Sequence, residues 1–300
     1  MPELPDISLY LERLEERLTG ATLERIVLAS PFLLRSVEPP LADTFGKKVL
    51  AFQRLGKRIV FDLEDDLHLV LHLMIAGRLR WADKTPAKVP GKIGLALFVF
   101  SRGTLILTEA SSKKRASLNV VHGSTAAFER GGLEPLTATR AEFVGALTRE
   151  NHTLKRSLTD PRLFSGIGNA YSDEILFAAK LSPIKQSQKL SEEELSRLYV
   201  ATQETLRMWI ARLREETPGF PEKVTAFREG MAVHGRYRKP CPVCGTPVQR
   251  IRYAENETNY CAKCQNAGRL LADRGLSRLL HSDWPKTLEE LEDYKAVRRQ

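Results

Sequence analysis

The chain has 300 residues, 42% hydrophobic and 28% charged, with a formal net charge of +9. That is globular composition with room for two domains, and no apolar run approaches the roughly 18–20 residues a membrane span needs. Glu3 and Asp6 stand where a secretory leader would carry a basic and then an apolar stretch, so a cytoplasmic protein is expected; the positive balance favours a polyanion partner, nucleic acid before anionic membrane.

The first element is a helix over 5–19, PDISLYLERLEERLT, with Ile7, Tyr10, Leu11, Leu14 and Leu18 at helical spacing, Asp6 as its cap and Gly20 as its stop. From about 22 to 122 the pattern changes to short apolar or alternating runs: TLERIVLA, KKVLAFQ, KRIVFDL, LHLVLHLMIAG, IGLALFVF, GTLILTEA and ASLNVVHG. Turn signals such as Glu64-Asp65-Asp66 and Ser101-Arg102-Gly103 separate them. So many short strands predict a sandwich or barrel with the first helix packed on it. After about 130 the strands stop. Thr139 with Glu142 and Ser191 with Glu194 each spell a capping box opening a helix. Between them lie LKRSLTD, the loop FSGIGN and a second helix, AYSDEILFAAK. Residues 217–240, rich in Gly, Pro and charge, read as a connection, and 267–300 as a polar helical tail. The chain shows no internal repeat.

Cys241, Cys244, Cys261 and Cys264 follow a C-x2-C-x16-C-x2-C pattern. Two close pairs at this separation let two knuckles close a tetrahedral thiolate site of the kind zinc prefers. Two disulfides or an iron–sulfur cluster are the alternatives, the former disfavoured in a reducing compartment. With all four positions filled by protein, a single zinc there would be structural. It would hold a hairpin, VQRIRYAENETNY, with Arg250 and Arg252 on one arm, either a solvated face or a contact to a DNA backbone.

Gly166-Ile167-Gly168-Asn169 lies between two helices, where its glycines allow a turn tight enough for backbone N–H groups and Asn169 to approach a phosphate. Alone it is a weak signal; downstream of Lys155 and upstream of a four-cysteine hairpin it is a stronger one. MPELPD, RLGKRIVFDL, HLMIAGRLR, SGIGNAYSDEILF and the four-cysteine finger together resemble the formamidopyrimidine-DNA glycosylase/endonuclease VIII family, in order and over roughly residues 2–265. The resemblance implies an N-terminal β-sandwich with its flanking helix, then a helix–two-turn–helix domain and a zinc finger. The expected limits are 1–125, 126–230 and 231–266, followed by an extension, 267–300. It further implies a monomer acting on damaged DNA in base-excision repair, associated with the bacterial nucleoid when bound and with no membrane partner.

On this resemblance Met1 is removed and Pro2 becomes the nucleophile. An α-amine titrates near 7.7–8.0 against about 10.4 for a lysine side chain, so roughly a tenth of it is neutral at pH 7. Pro2 would attack C1′ of a flipped-out nucleotide, release the base, form a Schiff base and cut the strand by β-elimination. Glu3 would supply a proton as the sugar opens. Lys57 would contact a phosphate and donate a proton during elimination. Glu174 would face the active site from its helix, where a carboxylate also simply complements the helix dipole. Lys155 and Asn169 would clamp flanking phosphates. His72 reads as a packed strand residue rather than a ligand.

Three positions depart from the family pattern. Asn256 stands where the hairpin usually carries an arginine that assists a second, δ, elimination, so β-elimination is expected to persist and δ-elimination to weaken. Ile75 stands at the position of the usual wedge methionine with Met74 beside it, either of which can wedge between bases, and the later loop EASSKKRAS lacks an aromatic, leaving Ser112 to Arg115 for backbone contacts. The 267–300 extension is additional. Two other readings fit parts of the chain. One is a non-catalytic binder of damaged or single-stranded DNA on the same scaffold; the other is a zinc-ribbon adaptor, which leaves MPELPD and GIGN unexplained. Lesion preference is not written in any motif.

Overall fold

The computed structural model describes residues 1–86, 88–253, 256–272 and 285–297. By Cα packing it divides into one unit of Met1–Gly132 with Arg207–Thr225, and a second of Leu133–Leu206 with Ala226–Gln300.

The first unit opens with α1 (Leu4–Leu18), whose buried Leu4, Ile7, Tyr10, Leu14 and Leu18 follow the helical repeat. Its cap is Glu3, not Asp6. Asp6 sits three residues in and accepts a hydrogen bond from the Glu3 N–H at 2.8 Å, one arm of a capping box. Thr19 ends the helix and Gly20, at φ +77°, turns the chain away.

Two four-stranded antiparallel sheets follow, built from β1 (Leu23–Leu28), β2 (Val49–Leu55), β3 (Arg58–Leu63), β4 (Leu67–His72), β5 (Gly77–Ala82), β6 (Gly94–Phe100), β7 (Gly103–Glu109) and β8 (Ser117–His122). One sheet runs β1-β6-β7-β5 and the other β2-β3-β4-β8. Phe61 of β3 stacks on Phe98 of β6 at 6.2 Å and touches Phe52 at 4.8 Å, so the two inner faces meet in an aromatic core.

Two details differ from the sequence reading. The run LHLVLHLMIAG is not one strand: β4 stops at His72, Met74 adopts φ +52°, and the Gly77 N–H returns to the Leu73 carbonyl at 2.9 Å. A separate strand, β5, begins there: GRLRWA alternates charged with apolar residues as a half-buried strand does, but its Gly77 is also the last residue of LHLVLHLMIAG, so no break in the sequence separates the two. Lys57 is also not in a strand. It occupies the two-residue turn Gly56-Lys57 between paired Leu55 and Arg58, with Gly56 at φ +63°.

Residues 207–225, which the sequence places with the helical region, pack with the sandwich. Arg214 pairs with Glu12 at 2.6 Å, Phe220 lies against Tyr10 at 5.9 Å and Trp81 at 6.4 Å, and Val224 enters the core. They are the end of a long helix plus an aromatic anchor, and neither property marks a domain boundary in sequence.

The second unit holds α2 (Arg140–Thr148), α3 (Leu154–Thr159), α4 (Asn169–Ala178) and α5 (Glu192–Glu216), the last ending in the first unit. Both capping boxes are present: the Glu142 side chain accepts from the Thr139 N–H, and that of Glu194 from the Ser191 N–H. Phe143 packs on Phe164 at 4.9 Å and on Tyr199 at 5.6 Å to form the centre. The hairpin β9 (Gln249–Tyr253) and β10 (Asn256–Tyr260) precedes α6 (Ala262–Asn266), and α7 (Leu288–Val297) ends the described chain. Leu270, Leu271 and Leu288 of the extension pack against Ile251, Tyr260 and Ala262, and the Leu271 N–H donates to the Tyr260 hydroxyl at 2.7 Å. Among the described residues no helix is long and apolar enough to cross a membrane.

Candidate active site and zinc module

In the first unit, capping of α1 draws the chain start inward: Pro2 and Glu3 are buried, Glu3 to 2% exposure. The terminal amine, carried here by Met1 and lying one residue from the nitrogen Pro2 would present, is lowered from its ordinary 8.0. Burial is the main cause; Arg78 and Lys57 push the same way, while Glu3 and Asp6 oppose them. The amino terminus, Glu3 and Lys57 are thus brought within electrostatic reach of one another. Arg78, missed in the sequence, belongs with them. Its guanidinium donates to the Val224, Gly77 and Ile75 carbonyls, fixing a cation beside the turn that follows β4.

His72 is a half-buried strand residue at the end of β4. It lies opposite Arg58 in the ladder, and burial together with the Arg58 and Lys57 charges lowers it to about 4. It is therefore a neutral imidazole at physiological pH, beside the lysine assigned to phosphate contact.

Both segments expected to fill the gap left by an extruded base leave the same sheet corner. Gly77 pairs with Glu109 across β5 and β7, so the turn carrying Met74 and Ile75 neighbours the loop 110–116. Ile75 is 53% exposed, Met74 is half-buried, and Arg115 is exposed. The buried Glu109 carboxylate accepts the Arg115 N–H at 2.9 Å and the Ala116 N–H at 3.1 Å, tying down the base of the loop.

In the second unit, the FSGIGN turn starts α4 at Asn169, half-buried, with Gly166 at φ +79°. The Lys155 ammonium donates to the Asn169 carbonyl at 2.6 Å and pairs with Asp173, so Lys155 and Asn169 are brought together with the lysine charge already engaged. Asp173 is a hub. Fully buried, it also accepts from His234 Nδ1 at 2.8 Å and from the N–H and side-chain amide of Asn259 at 3.1 and 3.2 Å. Glu174 does not present an open carboxylate to a cleft. Its oxygens take the N–H groups of Ala232, Val233 and His234 at 2.7, 2.9 and 2.9 Å, which makes it a positioning residue for that segment. Burial pushes its pKa up, and the three N–H donors oppose the rise.

The sulfurs of Cys241, Cys244, Cys261 and Cys264 converge, all within 4.8 Å, and none is in a disulfide. Burial and neighbouring thiols push Cys261 up to about 11. Cys244, which takes hydrogen bonds from Thr246, is instead lowered to about 6. Four thiols crowded together fit a divalent cation that would ionise them, and the finger holds one structural zinc. The side chain of Asn256, at the hairpin tip, lies outside the described residues.

These features define a class: a two-unit protein whose sandwich draws its amino terminus in beside Glu3, Lys57 and Arg78, and whose helical unit carries a closed zinc module. The chain matches the formamidopyrimidine-DNA glycosylase N-terminal domain over 1–112, that enzyme's H2TH domain over 132–217, and the zinc finger found in FPG and IleRS over 238–267. It is 34% identical over 278 residues to the formamidopyrimidine-DNA glycosylase of Thermus thermophilus, covering 89% of this chain and 100% of the relative. The Heliobacterium modesticaldum enzyme of the same name is 30% identical over 88% of this chain and 100% of its own. The crystal structure of MutM (Fpg) from Thermus thermophilus superposes with a TM-score of 0.75 at 32% identity, covering 88% of this chain and 98% of that one. A complex between Lactococcus lactis Fpg and abasic-site DNA gives 0.78 at 25% identity, covering 88% and 99%. The chain belongs to the formamidopyrimidine-DNA glycosylase/endonuclease VIII family.

Proposed function

We propose that this chain is a bifunctional DNA glycosylase and abasic-site lyase of base-excision repair, using the Pro2 nitrogen as nucleophile once Met1 is removed. The observation that supports the mechanism is the burial of Pro2 and Glu3, at a chain start where the Met1 amine, one residue away, is lowered chiefly by burial and also by Arg78 and Lys57 against the opposing charge of Glu3. A neutral amine attacks C1′ and the base departs. Glu3 protonates the ring oxygen as the sugar opens, leaving an iminium between Pro2 and C1′. That positive nitrogen acidifies the C2′ proton; its loss expels the 3′ phosphate, and water then hydrolyses the adduct. Lys57, with the neutral His72 near it, meets the phosphate. Lys155 and Asn169 hold flanking phosphates at the start of α4, while Glu174 acts through residues 232–234. Met74, Ile75 and Arg115 line the two neighbouring segments that would replace the extruded base.

With Asn256 in the arginine's place, β-elimination dominates over δ. We further propose domain limits of 1–125, 126–230, 231–266 and 267–300, and a monomeric intracellular enzyme. Borohydride trapping on an abasic duplex tests the mechanism. The mature chain forms a covalent adduct, and a chain whose amino terminus is blocked or lengthened does not; equal trapping by both refutes it. A panel of oligonucleotides with one lesion each, single- and double-stranded, reads the lesion preference, and denaturing gels with complete β,δ-product would refute the role given to Asn256.

A further inference from the structure

From Gly230 to Ala254 the chain carries Arg236, Arg238, Lys239, Arg250 and Arg252 and no carboxylate. The first three lie in a turn fixed against the zinc hairpin. The Lys239 N–H donates to the Arg236 carbonyl at 2.8 Å, the Arg238 N–H to the Val248 carbonyl at 2.9 Å, and the Val248 N–H to the Lys239 carbonyl at 2.9 Å. This ladder imposes φ +66° on Arg238. Glycine adopts that conformation freely; arginine does so against a steric penalty. The position therefore favours a residue with no side chain, yet carries the longest cationic one.

Next to it, Tyr237 gathers two guanidinium groups. The Arg238 carbon lies 5.1 Å from the ring centroid and that of Arg250 lies 4.2 Å away. Arg250 is also shared with Glu257 at 3.3 Å. Arg238 and Lys239 are exposed and have no carboxylate partner among the described residues. A guanidinium stacked on an aromatic face keeps its N–H edge free and loses little further freedom on binding, which suits a planar, two-pronged grip on phosphate oxygens.

We propose that Tyr237, Arg238 and Arg250, with Lys239, form a phosphate-gripping platform for a DNA backbone that sets duplex affinity independently of the damaged base. This rests on the reading of the chain as a DNA-acting enzyme. Residues in such a platform neutralise phosphates and release counterions, so they are read in the salt dependence of binding rather than in lesion choice.

The test is duplex binding by the full mature chain, with an undamaged fluorescent oligonucleotide titrated across a salt series. R238G removes the cation and relieves the backbone, so it melts no lower than the parent. Its affinity falls roughly fivefold to tenfold and the slope of log K against log salt shrinks by about 0.9. R238E, which keeps the strain and reverses the charge, loses more than R238G. Affinity and slope unchanged in both variants overturn the platform, provided the parent binds and traps abasic DNA. A parent that binds no duplex overturns the platform and the DNA-acting reading together.

Discussion

Asp173→Asn tests whether one buried carboxylate holds the helical unit and the zinc module together. The side chain is 0% exposed and pairs with Lys155, itself 13% exposed, while accepting from His234 and twice from Asn259. Removing one member of a buried, hydrogen-bonded pair costs about 3–5 kcal/mol, because the remaining charge is stranded. The asparagine carbonyl still accepts one hydrogen bond, which favours the lower figure, about 3 kcal/mol, or roughly a hundredfold in the opening equilibrium. In a unit of this size that lowers the melting temperature by about 6–12 °C. The assay is a thermal ramp read by a colorimetric zinc indicator, because Asn259 lies on β10, two residues before the zinc ligand Cys261. Lys155→Met with Asp173→Asn removes both charges, and the double variant should recover at least about 1 kcal/mol over the sum of the singles. A release temperature within about 2 °C of the parent, as for an ordinary surface change, would refute the reasoning.

Other expectations are as direct. The reactive amine is the neutral form, so borohydride trapping rises with pH through the amine's lowered pKa. Lys57→Met removes a charge that lowers it and moves the midpoint up, whereas Glu3→Gln removes one that raises it and moves the midpoint down; a midpoint fixed in both excludes the assigned electrostatics. Gly77→Ala would place Cβ 2.2 Å from the Leu73 carbonyl oxygen, backbone that cannot swing aside. It should cost about 2–4 kcal/mol in urea unfolding, and a change under about 0.5 kcal/mol contradicts the turn geometry. Tyr260→Phe strands the buried Leu271 N–H and should cost about 1–2 kcal/mol, read as faster zinc loss to a chelator; an unaltered rate means the extension does not brace the hairpin.

What the sequence disclosed follows the range of the interactions involved. The strands, the capping boxes at Thr139 and Ser191, the four-cysteine spacing and the GIGN turn are local patterns, set by side-chain periodicity or by residues three to seventeen apart. Family resemblance added the roles of Pro2, Glu3, Lys57 and Lys155, which no local pattern contains. The break at Met74 was hidden because an isolated left-handed residue carries no compositional mark when it is not glycine. Asp173 and Glu174 show the limit most plainly. Both lie in the legible helix AYSDEILFAAK, and a carboxylate near a helix start is ordinarily explained by the dipole alone. Neighbouring residues on a helix point about 100° apart, so the two serve different partners. Asp173 reaches Lys155, His234 and Asn259, while Glu174 reaches the N–H groups of 232–234, separations of 18 to 86 residues. The partners of Glu174 are main-chain donors, which every residue but proline possesses, so no choice of side chain at 232 or 233 could have revealed them. The catalytic role the family resemblance implies for Glu174 and the positioning role its geometry supports are separable. Glu174→Gln keeps the size but turns an amide N–H₂ towards the Ala232 or Val233 N–H, so it should loosen 232–234 and slow nicking while leaving the pH midpoint of trapping, which belongs to the amine, where it was.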